Sequence, residues 1–70
     1  MVTNTDIEIA IEIIAAKIAT HSRAINNTID DEMKKILKER DKVYMGNEET
    51  IRKVLSVYGP EVRGDDRDGK

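Results

Sequence analysis

Cysteine, tryptophan, phenylalanine and glutamine are all missing from this 70-residue chain, and proline occurs once. Without cysteine there can be no disulfide framework and no thiolate zinc site. The one histidine, His21, has no second imidazole with which to share a metal. Tyr44 and Tyr58 are the only aromatics, too few for the stacking platform of a single-strand nucleic-acid binder. Long apolar runs are lacking too. The strongest is broken by Glu8, Glu12 and Lys17, so nothing approaches the ~18 residues of a membrane span. The opening Met-Val-Thr-Asn-Thr-Asp has no basic stretch of the kind that starts a signal peptide, so the expected location is cytoplasmic.

Charge of a single sign is also scarce. Twelve basic and fourteen acidic residues are interspersed for a net −2, unlike the basic footprint of a dedicated nucleic-acid-binding domain. A chain of this length is one small domain, and such a chain buries only ~60% of its unfolded surface. Scaffolds this small usually add disulfides, a metal or a partner copy. With the first two removed by composition, self-association is the expectation, and no cofactor is expected.

What the chain has in abundance is isoleucine, concentrated in "DIEIAIEIIAAKIA" at positions 6 to 19. Ile7, Ile9, Ile11 and Ile13 alternate as in a strand, while Ile7, Ile11, Ile14 and Ile18 follow helical spacing. The alternation fails at Ile13-Ile14-Ala15-Ala16, and Thr5-x-x-Glu8 forms a capping-box pattern. Alanines at 10, 15, 16 and 19 also favour helix. On a helix, Ile7, Ile11, Ile14, Ile18 and Ile25 make one stripe, and Ile9 and Ile13 point nearly to the opposite side. Two apolar sides on one helix ask for two covers, and a second copy of the chain is the expected second cover. The predicted oligomer interface is therefore Ile7, Ile9, Ile11, Ile13, Ile14, Ile18, His21 and Ile25. His21, on the stripe, is a histidine either fixing register at a helix seam or lying at its edge.

Asn26 can take the left-handed conformation that closes a helix, and Asn27 or Thr28 can cap the next. Asp30, Asp31 and Glu32 then suit the positive end of a helix dipole better than a metal, because adjacent helical residues diverge. A helical hairpin results. The stripe also stays in phase through Ile25, Ile29, Met33 and Ile36, so one kinked helix of ~60 Å from Asp6 to Met45 is the alternative. Gly46 fits a helix C′ position and Asn47 an N-cap; Ile51, Val54, Leu55 and Tyr58 mark a short third helix that Gly59-Pro60 should end. The predicted domain is 1–58, with 59–70 a polar, disordered tail.

The most basic stretch is "KKILKERDK" at 34 to 42. Lys34, Lys35, Lys38, Arg40 and Lys42, with Arg52 and Lys53, are the candidate contacts for a partner or for nucleic acid. From Arg23 to Arg40 the sequence resembles the opening helix of the all-helical chorismate mutases, a family in which two arginines bind the substrate carboxylates. That resemblance implies substrate-binding roles for Arg23 and Arg40, with Asp30, Ile29, Met33, Ile36 and Leu37 as framework. The family's next lysine position is occupied by Ile51, with Lys53 off register beyond Gly46. No convergent acid–base or nucleophile set is visible otherwise. The expectation is an all-α chain, a hairpin or one long kinked helix plus a short third helix, assembling as a dimeric bundle. Its expected role is a non-catalytic interaction or adaptor protein showing a charged helical face to a protein partner. The alternatives are a dimeric nucleic-acid-associated regulator and, more remotely, a chorismate-mutase-like enzyme.

Overall fold

The computed structural model describes residues 1–63, and every element among them is helical. Helix α1 spans Asn4–Ala24, α2 Asp31–Tyr44 and α3 Glu48–Lys53; a π-helical turn, Val54–Tyr58, then leads into α4, Gly59–Arg63. The tail beyond residue 63, expected to be disordered, lies outside the described residues.

Helix α1 begins two residues earlier than expected. Thr3, not Thr5, is the N-cap: its hydroxyl accepts from the Asp6 N–H at 3.1 Å, and the Asp6 carboxylate accepts from the Thr3 N–H at 3.0 Å. Both sites fit the pattern, but Thr3 has an aspartate at N3 that closes both bonds and lets the helix gain half a turn.

The continuous helix is not formed. Asn26 and Asn27 both lie in the left-handed region, at φ 55° and 64°. The Asn27 N–H bonds the Ser22 carbonyl at 2.8 Å and the Asn26 N–H the Arg23 carbonyl at 3.4 Å, which satisfies carbonyls the helix end would orphan. Asp30, rather than Asn27 or Thr28, caps α2, accepting from the Met33 N–H at 2.7 Å. The second turn repeats the arrangement with glycine. Gly46 sits at φ 82°, and Asn47 both closes α2 through the Lys42 carbonyl at 3.0 Å and caps α3 through the Thr50 N–H at 2.8 Å.

The largest departure from expectation is at the end. Gly59-Pro60 does not stop the helix. Proline lacks an N–H, and its ring collides with the carbonyl four residues back in a regular helix. Here the preceding turn is widened, with the Gly59 N–H bonding the Val54 carbonyl five residues earlier, and the helix passes the proline to reach Arg63. The proposed 58/59 boundary thus falls inside a helical stretch, and Gly59 is buried.

That extension decides how α1 is covered. It packs against α2 and also against the π turn and α4. The core holds Ala10, Ile13, Ile14, Ile36, Val43, Ile51, Val54 and Tyr58. Ile13, expected at a dimer interface, is 5% exposed in the single chain. A Cβ on Gly59 would sit 3.4 Å from its Cδ1, which places the start of α4 directly against Ile13. Ile14 is wholly buried as well. Ile7, Ile9, Ile11, Ile18, His21 and Ile25 are half-buried. The second cover predicted for α1 is therefore supplied in large part by the π turn and α4.

Candidate functional site: two faces of helix α2

Helix α2 has charged residues on both its inner and outer faces, and the two sets differ in kind. On the inner face, Glu39 falls in the apolar row of Met33, Ile36 and Val43 and is 8% exposed. A carboxylate there must be partnered. Tyr58 donates its hydroxyl to Glu39 Oε1 at 2.6 Å, and the Lys53 ammonium bonds Oε2. The Tyr58 ring lies between two cations, with Lys17 Nζ 5.0 Å and Lys53 Nζ 5.5 Å from its centroid. Lys17 in turn donates to Glu61 at 2.7 Å, tying α1 to α4. Alternating carboxylates and cations thus close around one tyrosine.

The protonation states follow from that arrangement. Burial is the strongest influence on Glu39 and works against its charge. The hydrogen bonds from Lys53 and Tyr58, with the charges of Lys53 and Lys35, outweigh it, so Glu39 is held below the usual carboxylate range. Tyr58 is pushed well above the ordinary phenol value, first by burial and then by its bond to the Glu39 anion. Glu39 is a permanent acceptor and Tyr58 a permanent donor near neutral pH.

On the outer face, Asp31, Lys34, Lys35, Lys38 and Lys42, with Glu39 at the border to the inner face, line an open groove of about 450 Å³. All six come from α2 at spacings of three, four and seven, so they share one side of the helix. None of the four lysines has an ion-pair partner among the described residues. At the C-terminal end of this side stands Met45, 82% exposed, beside Tyr44, 61% exposed. Its backbone is still right-handed helical (φ −80°, ψ −5°), so it extends the row through Lys34, Lys38 and Asp41.

The seven basic residues picked out in the sequence are thereby divided. Lys34, Lys35, Lys38 and Lys42 meet at the groove. Arg40 is half-buried away from it, with its Nε buried and unpartnered. Arg52 pairs with Glu48 at 3.8 Å on the exposed side of α3, and Lys53 is engaged by Glu39. His21 has a defined partner: its Nε2 lies 3.0 Å from Asp30 Oδ1, linking the last turn of α1 to the cap of α2. Asp30 is held below the usual carboxylate range, chiefly by the Met33 N–H and then by His21. Arg23 and Arg40, which the chorismate-mutase resemblance would place on one helix, lie on separate helices across the Asn26–Asn27 turn. No three histidine or carboxylate side chains among the described residues form a metal-holding group, and no helix among them is long and apolar enough to cross a membrane.

Glu39, Tyr58, Lys17 and Glu61 were not singled out from the sequence. A signal for two of them existed: Glu39 and Lys17 are charged residues at core-facing positions of their helices, which announces a buried partner. No protein-family model matches the chain, and neither does any curated protein or solved structure.

Proposed function

We propose that this chain is a non-catalytic helical interaction module, working in the cytoplasm, that meets a protein partner through the outer face of α2. The observation that carries this reading is the groove itself, where four lysines on one helical side outnumber the two carboxylates Asp31 and Glu39 and none of the four is ion-paired among the described residues. Unpaired exposed lysines add little to stability, so their clustering is better explained by something they meet. Support for the absence of catalysis comes from the buried cluster, whose carboxylate and phenol are spent on each other and on Lys53. A poised base or nucleophile needs a lone pair facing a cavity.

The reading includes an antiparallel arrangement of α1 and α2 about the Asn26–Asn27 turn, and self-association through the half-buried rim Ile7, Ile9, Ile11 and Ile18. A small core gains from covering such a rim. Light scattering on the wild type and on Ile9→Glu tests it, with a wild-type monomer at all concentrations ending the dimer. Ile13→Glu is unsuitable, because it would place a charge in the protomer's own core.

A nucleic-acid-associated regulator is the second reading, favoured by the same four lysines. Amide NMR separates the two. Titration with polyglutamate should move the signals of residues 34 to 42 and Met45, with duplex DNA needing a higher concentration. If DNA moves the same signals at lower concentration than polyglutamate, the protein-partner reading falls.

A further inference from the structure

Resting on that reading, we infer that the partner element received by the α2 groove is an acidic amphipathic helix, its carboxylates facing the lysines and an apolar side chain at one end meeting Met45. Three observations converge on this occupant. Lys34, Lys38 and Lys42 recur once per turn over ~12 Å, and carboxylates on a second helix recur at the same ~5.4 Å pitch. Duplex DNA instead carries a charge every ~1.7 Å along its axis. The groove also contains no arginine for bidentate phosphate contacts and no aromatic for stacking.

Met45 is the second observation. A bare cation-binding strip needs no thioether at its end, yet here the lysine row finishes on an apolar side chain 82% open to solvent. Apolar contact at one end gives a docked helix direction and register that lysines alone cannot, since point charges accept many geometries. The third is the pair of acids in the pattern. Asp31 stands at the groove's N-terminal end, and Asp41 lies between Lys38 and Met45 on an exposed row. A uniform polyanion would meet like charge at both places and so bind less tightly than a matched helix. A helix with neutral or basic residues opposite them avoids both contacts.

The test is fluorescence anisotropy with a labelled peptide of about sixteen residues, long enough to hold a helix. It carries glutamates once per turn on one side and a leucine at one end. Controls are a scrambled peptide of identical composition and a DNA duplex of equal charge. The patterned peptide should bind at least about tenfold more tightly than either control at low salt, and weaken as salt rises. Lys38→Glu/Lys42→Glu should lower its affinity by about tenfold or more and Met45→Asp by about fivefold, with Arg52→Glu, off the groove, leaving it unchanged. All four positions are exposed or paired only at the surface, and an unchanged thermal melt for each variant verifies the fold. Equal binding of patterned and scrambled peptides would overturn the helical occupant and leave the protein-partner reading standing. Tighter binding of DNA, or no binding to any probe at low salt, would overturn both.

Discussion

Helix α2 offers a comparison within fourteen residues. Its inner face carries Glu39, a charge with two hydrogen-bond partners and two cations nearby. Its outer face carries four lysines, and none is paired among the described residues. The same kind of side chain therefore means opposite things on the two sides. Inside, Glu39 is tolerated because its surroundings are completed by Lys53 and Tyr58, and it ties α3 and the π turn to α2. Outside, water satisfies each lysine cheaply, so position along the helix is the informative quantity.

That contrast can be broken most forcefully from the inside. Ile36→Ala, at a wholly buried position on the inner face, should cost about 2–5 kcal/mol in urea unfolding, since the cavity closes only in part. Glu39→Ala comes next at about 1–3 kcal/mol, most of it from the buried Tyr58 hydroxyl left without an acceptor. The ion pair adds little to that figure, because the Lys53 side chain is 38% exposed and solvent screens it. Tyr58→Phe should cost about 1 kcal/mol, and the double variant should show the two losses to be coupled rather than additive.

A gentler way to sharpen the contrast is pH. Because the folded chain holds Glu39 below its ordinary pKa, its stabilisation is present above the unfolded value of ~4.3 and is lost as pH falls through the lower folded value. Unfolding free energies measured stepwise from pH 6 downward should fall less steeply in Glu39→Gln than in the wild type. Asp30 acts in the same direction, so acid sensitivity should persist in that variant at reduced slope. The smallest effect belongs outside. Lys38→Glu/Lys42→Glu should leave stability within about 0.5 kcal/mol of the wild type, however strongly it alters binding.

Local signals in the sequence carried the fold well wherever they were chemically specific. Gly46 and Asn47 act as expected, because a positive φ and an N-cap each narrow the choice of residue. Asn26 marks a break for the same reason. The signals failed where tertiary packing decides. Two cap patterns overlapped at Thr3 and Thr5, and a reciprocal bond chose between them. Pro60 reads as a stop in isolation, but an apolar α1 flank waiting to be covered makes continuation worthwhile, and the widened turn before Gly59 admits the proline. At the candidate site, the basic stretch was visible, whereas its division into grouped, paired and buried members depends on which face each residue occupies.

The π turn at Val54–Tyr58 has a consequence for rotational phase. In a regular helix each residue advances ~100°, so of two consecutive residues only one can face inward squarely. Stretching one turn to five residues brings Gly59 beneath Val54 while Tyr58 still points at Glu39, and two neighbours share the inward position. Deleting Ser56, an exposed residue, would return the turn to regular α-helical spacing, so that Tyr58 and Gly59 could no longer both keep their present directions. Either the packing on Ile13 or the bond to Glu39 would be lost. One surplus residue is thus what lets a single helix both close over α1 and lock onto α2.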